Sequence, residues 1–318
     1  MSTHPTDSDN DFSDEIYLGT YILVLSLQTC CAAINGLIIL IFVKVPTLRK
    51  NKHLRLVSYL SVGDFLYAIG EAPYIIYMIL NWNPNQLDFN PLYILISSIP
   101  LPMQLKISAT ITIGIALSRN LAVFFPGWFR KMEPSIYSEI VVVTGILLAL
   151  FDATLWFILS PPKRRPNCGT SGCFVSNEFR YYWGISNMCL GLIVVFLSIC
   201  LCFKIRAVEK DTVATNSVDR NQRKFQQANR TSTGILISSL FFLTTPSVFV
   251  GIVELTGYSI FRLVGPFYSA SVMASGIFNG IIFIGCNKDA RRLITMKYRN
   301  MKNDSTSAVI HNTAIVKY

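Results

Sequence analysis

Residues 107–126 read ISATITIGIALSRNLAVFFP, an apolar run long enough to cross a bilayer, with one arginine, Arg119, where the run meets a basic exit. A guanidinium keeps its proton inside a protein, so it has to lie at the membrane boundary or find a partner. Its place near the end of the run points to the boundary. Two readings stay open there: a residue of functional interest, or an arginine that only extends its charge to the interface. Both make this segment a transmembrane helix around which the other runs can be placed.

The rest of the composition agrees. The 318 residues are 52% hydrophobic and only 14% charged, too apolar for an ordinary soluble domain and too evenly apolar for a single anchor. That describes an all-α membrane protein with several spans. The net charge of +10 sits in the segments between apolar runs, where it reports topology and not nucleic acid. No phosphate-cradling loop, zinc-binding HExxH, nucleophile elbow or paired CxxC is present, so neither an enzyme nor a cofactor site is expected.

Seven spans are predicted, at about 17–43, 54–80, 92–125, 136–159, 181–203, 231–256 and 262–286. Residues 1–16 are polar, acidic and free of lysine and arginine, and the run after them is too long for a cleaved leader. Segments 44–55 and 204–230, the exit of the third span counted from Arg119, and the tail hold 22 of the 28 lysines and arginines. Positive residues mark cytosolic loops, which puts the N-terminus outside and the C-terminus inside. The loop PPKRRPNCGTSGCFVSNEFR violates that rule locally without changing the balance.

The expected organisation is an extracellular N-terminus over 1–16 and a membrane domain over 17–286. An amphipathic helix on the inner leaflet is expected over 287–300, and a disordered cytosolic tail over 301–318. Six cysteines, Cys30, Cys31, Cys189, Cys200, Cys202 and Cys286, lie in or beside apolar runs and read as small buried hydrophobes. Cys168 and Cys173, in CGTSGC on the outer side, are predicted to form a local disulfide.

Ionisable groups within spans are candidate functional residues. Asp64 lies roughly 15 Å into the second span, near the middle of a hydrocarbon core about 30 Å thick. Glu71 follows two turns later, and Lys106 on the third span falls between the depths of the two carboxylates. An ion pair from Lys106 to the second span is therefore available. Glu71, Lys106 and, in the fourth span, Asp152 are candidate ligand contacts in a cavity open to the outside. The alternative is a structural ion pair that lets buried charges coexist.

Seven spans with an arginine ending the third resemble the rhodopsin-like G-protein-coupled receptors. LSRNLAVFFP together with NKHLRLVSYLSVGDFLYAIGEAP resembles the nematode serpentine chemoreceptors, and within these the beta-C class. The resemblance covers most of residues 17–300. It implies a seven-helix bundle in the plasma membrane, in the setting of a sensory-neuron cilium. The implied partners are an extracellular small molecule and a heterotrimeric G protein.

Carried over residue by residue, the resemblance places Asn35 and Asp64 in a polar hub. Asn279 stands at the seventh-helix asparagine, Arg119 at the G-protein-coupling arginine, and Pro246 at a hinge in the sixth helix. Several positions depart from the receptor pattern. Ser118 and Asn120 flank Arg119 where an acid and an aromatic are usual. QQANRTSTG offers it no carboxylate from the sixth span, so a different restraint on the arginine, or basal signalling, is expected. Thr244 replaces a tryptophan, Gly280 a proline and Phe283 a tyrosine. The competing reading is a ligand-gated channel or a transporter, against which stand the acidic N-terminus and the lack of an internal repeat.

Overall fold

The computed structural model describes residues 14–51, 54–83, 87–212, 220–255, 261–296 and 299. Most of the expected N-terminal segment 1–16 and the whole tail 301–318 lie outside the described residues. Among the described residues the structure is helical, with seven long helices. These are α1 (Asp14–Lys44), α2 (Arg55–Leu80), α3 (Pro100–Phe124), α4 (Pro134–Leu159), α5 (Asn177–Thr212), α6 (Arg220–Ser239 continuing through Leu240–Thr244 and Thr245–Leu255) and α7 (Phe261–Cys286). Six stretches are long and apolar enough to cross a membrane. The remaining long helix, α2, is 26 residues, about 39 Å, and carries Asp64 and Glu71 in its interior.

The bundle is organised around α3, which packs on α2, α4, α5 and α6, while α1 packs on α2 and α7, and α5 on α6. Buried apolar side chains form two clusters. One, with Tyr21, Tyr67, Trp156, Trp183 and Tyr268, lies toward the Cys168 end. The other, with Ile38, Leu60, Ile115, Ile235 and Phe283, lies toward the Arg119 end. Asn35 and Asp64 fall between them in the chain order of α1 and α2, so a polar layer divides the core.

Proline chemistry shapes the helices. The third span is broken instead of continuous from residue 92: Pro91–Ser97 forms its own short helix and Pro100 starts α3. Proline is well placed at a first helical turn because its missing N–H has no partner there anyway. The Asn90 side chain caps the short helix by accepting from the Leu92 and Tyr93 amides at 3.0 and 3.3 Å.

In α6, Pro246 is preceded by a π-helical segment, Leu240–Thr244. A proline inside a helix removes the donor for the carbonyl four residues back, here that of Phe242. The Ser271 hydroxyl of α7 donates to that carbonyl at 2.7 Å. The π segment of α6 is thus fastened to its neighbour.

The second half of the α4–α5 loop, residues 168–176, is folded into the bundle, while 161–167 are exposed. Cys168 and Cys173 are disulfide-bonded, with Cα atoms 6.3 Å apart, and Thr170 between them is fully buried. Tyr21 of α1 donates its hydroxyl to the Gly169 carbonyl at 2.6 Å, and the Ser171 amide donates to the Tyr74 oxygen of α2 at 3.1 Å. Arg180 Nη1 reaches the Gly172 carbonyl at 2.9 Å. A Cβ on Gly169 would lie 2.7 Å from the Tyr17 ring, so only glycine allows this approach. At the opposite end, residues 288–296 form a short helix beyond Asn287, whose side chain accepts from Gln227 of α6.

Candidate functional site

Buried polar groups concentrate in four places, and each is set by which helix faces meet. The first is the hub between α1, α2, α3 and α7. Asp64 Oδ1 accepts from Gln104 Nε2 at 2.7 Å, with Asn279 beside the carboxylate. Asn35 Nδ2 donates to the Cys31 carbonyl on its own helix at 3.0 Å and to the Gly276 carbonyl of α7 at 3.3 Å. The second contact depends on Gly276, where a Cβ would stand 2.8 Å from Cys31 Sγ and 3.1 Å from Asp64 Cγ. A small residue here lets backbones approach closely enough for a side chain to bridge them.

The second group contains Lys106. Its partner is Asp152 of α4, at 3.5 Å with both side chains almost fully buried, and not a carboxylate of α2. Lys106 Nζ also donates to the Ser186 hydroxyl of α5 and lies 5.8 Å from the centre of the Tyr182 ring. Tyr182 completes the group by donating to Asp152 Oδ1 at 2.8 Å. The second-span pairing fails because Lys106 faces α4 and α5. Glu71 instead accepts from the Ser269 hydroxyl of α7 at 2.7 Å. Glu71 is fully buried, so the three candidate ligand contacts divide between two sides of the bundle.

The third group corrects the expected place of Arg119. It is 2% exposed and lies inside the bundle instead of at the lipid boundary. Its Nε donates to the Ser232 hydroxyl of α6 at 3.0 Å. The adjacent Asn120 donates to the Ala116 carbonyl at 2.9 Å and to the Leu197 carbonyl of α5 at 3.0 Å. The ends of α3, α5 and α6 near Arg119 are therefore joined by the Arg119–Ser232 and Asn120–Leu197 hydrogen bonds.

The fourth group was not anticipated from the sequence. Between α3, α5 and α6 lies a cavity of about 20 Å³ lined by Thr112, Asn187, Ser239, Thr244 and Ser247, room for about one water. Ser247 shares a hydrogen bond with Tyr268 at 2.7 Å. Thr112 Oγ1, both amide atoms of Asn187 and Ser239 Oγ are buried without a hydrogen-bond partner. Buried polar atoms are normally satisfied, so these four make the cavity a candidate place for a polar group. The available signal was neutral polar residues inside three apolar runs, of which Asn187 in WGISNMC is the plainest. Thr244, the residue at the tryptophan position, lies in the π segment that walls this cavity.

No curated protein matches the sequence. Among solved structures, the crystal structure of squid rhodopsin is similar at a TM-score of 0.65 and 17% identity, covering 93% of this chain and 84% of that one. At that identity the likeness establishes the fold, a seven-transmembrane receptor bundle. Residues 15–286 match the family described as serpentine type 7TM GPCR chemoreceptor Srbc. The chain is a multi-pass membrane protein that belongs to the Srbc family of serpentine seven-transmembrane chemoreceptors.

Proposed function

We propose that this receptor lies in the plasma membrane of a sensory cell, cilium included, with its N-terminus outside and its C-terminus inside. In this reading it binds an extracellular small molecule between α3, α5 and α6 and activates a heterotrimeric G protein. The observation that carries the reading is the set of unpartnered Thr112, Asn187 and Ser239 atoms around a cavity whose wall is the π segment of α6. These groups are neutral donors and acceptors, which suits a small uncharged ligand with hydroxyl, carbonyl or ester groups.

At about 20 Å³ the cavity has to widen to admit such a ligand. Widening moves α6, and α6 carries Ser232, the acceptor of Arg119. A ligand that prefers the widened form thereby shifts the population of a form in which the Arg119 end is open to a G protein. Glu71, Lys106 and Asp152 are the charged contacts of this scheme. A ligand reaches them by breaking Glu71–Ser269 or Lys106–Asp152, which links charged ligands to a larger rearrangement. Asn35, Asp64, Asn279 and Pro246 transmit the change along α1, α2, α7 and α6. Residues 287–300 lie on the inner leaflet, with 301–318 as a cytosolic tail.

The test is a G-protein dissociation assay in cells expressing receptor tagged at either terminus, with tag exposure read before and after permeabilisation. A panel of small polar odorants is applied to wild type, Asn187→Leu and Arg119→Ala. The expected result is an exposed N-terminal tag, an agonist whose potency falls for Asn187→Leu, and a silent Arg119→Ala. An N-terminus inside the cell, or intact signalling by Arg119→Ala, overturns the reading.

A further inference from the structure

On the outer surface of the bundle, at the Arg119 end, α1, α2, the start of α4 and the turn Pro46–Arg49 enclose a groove of about 780 Å³, the size of a ligand pocket. One end of it is cationic, with Arg49, Lys50 and Arg55 on the rim. The other is an apolar wall made by Ile39, Phe42, Val43 and Val62. Ser58 and Ser135 also line it.

The charges on the rim are unequal. Arg55 is already engaged, with Nη2 2.9 Å from Glu139 Oε1 and Nε 3.2 Å from the Tyr59 hydroxyl. Arg49 and Lys50 are exposed, and among the described residues no carboxylate pairs with either. Val43, at the apolar end, is 61% exposed and faces out of the bundle. A cationic rim at one end and an outward apolar wall at the other match a molecule with an anionic head and a hydrocarbon body.

We propose that this groove is a binding site for an anionic phospholipid of the leaflet at the Arg119 end, the cytosolic leaflet in the orientation given above. The phosphate group lies between Arg49 and Lys50, with Ser58 and Ser135 donating to its oxygens, and one acyl chain runs along Phe42, Val43 and Val62. A soluble phosphate compound would use the rim and leave the wall bare. A sterol would use the wall and leave the rim unpaired. The phospholipid alone uses both, and basic pockets between transmembrane helices on the cytosolic side suit such head groups. The site is separate from the central cavity and does not depend on the identity of the receptor's ligand.

The test uses full-length receptor in phosphatidylcholine nanodiscs doped with phosphatidylserine or phosphatidylinositol phosphate, with co-purified lipid counted by native mass spectrometry. Two interfacial cations are each worth a substantial part of such binding, so Arg49→Gln/Lys50→Gln is expected to lower anionic-lipid retention roughly tenfold to thirtyfold. The control Arg130→Gln/Lys131→Gln, which removes an exposed basic pair from Pro126–Lys131, is expected to change it by no more than about twofold. Val62→Trp, which fills the groove with all charges kept, is expected to match the first double variant. Equal loss in both double variants would mean diffuse surface charge and overturn the site. Retention by Val62→Trp, or displacement of the lipid by soluble inositol phosphate at equal concentration, would overturn the lipid as its occupant.

Discussion

The hydroxyl of Ser271 on α7 donates to the carbonyl of Phe242 on α6 at 2.7 Å, satisfying the acceptor that Pro246 leaves without its helical donor. The proline-bearing turn of α6 and the face of α7 are therefore joined here. Ser271→Ala leaves a part-buried carbonyl unsatisfied, a cost of about 1 kcal/mol, at the low end for such groups. The expected outcome is a lower melting temperature in a thermal-shift assay, with Ser271→Thr close to wild type. Equal melting of all three proteins would show that the carbonyl finds another donor.

Lys106 and Asp152 test whether a buried ion pair here is stabilising or functional. Asp152→Asn leaves a buried ammonium without its counter-charge, and loss of one partner of such a pair costs about 3–5 kcal/mol. Surface expression of Asp152→Asn is expected to fall sharply. The double variant Lys106→Met/Asp152→Leu removes both charges and is expected to regain expression, since apolar replacements of buried pairs are often neutral. Recovered expression without a ligand response would assign the pair to signalling. Recovery of both would assign it to architecture.

Ser232 is a neutral acceptor of the Arg119 guanidinium, at 3.0 Å. A hydrogen bond to a charged group is worth about 1.5–3 kcal/mol, and a contact made only in the resting form holds the population there. Ser232→Ala is expected to raise ligand-free G-protein activation several-fold, and Ser232→Asp to lower it. Basal activity that is the same in both would mean the contact is made equally in both forms.

Gly280 meets α1 at Ile34, and a Cβ there would overlap the Ile34 side chain. Overpacking a tight helix contact costs about 1–3 kcal/mol. Gly280→Ala is expected to reduce folded yield on size-exclusion chromatography, and Gly280→Ala/Ile34→Ala to restore much of it. A Gly280→Ala protein as abundant as wild type would show that α1 shifts to make room.

Much of the fold was legible because the bilayer imposes lengths and charge signs on a sequence. The apolar runs around Asn35, Arg119 and Asn279 carry that information locally. What was not legible depends on helix rotation, which local composition does not encode. Lys106 has the right depth to meet Glu71, but the break between Ser97 and Pro100 starts α3 afresh, and its lysine faces Asp152. Arg119 has the sequence position of a boundary residue, and only the approach of Ser232 from a helix more than a hundred residues away shows it to be interior. Asn187, Thr112 and Ser239 are unremarkable one at a time. Their meaning appears when three helices set them around one void.

The buried half of the α4–α5 loop has a consequence in time. Tyr21, Tyr74 and Arg180 hold three successive stretches of its backbone, and Thr170 beneath them sees no solvent. A molecule entering the bundle over the α1–α2 corner would have to part those bonds together, so this half of the loop is expected to slow any exchange by that route.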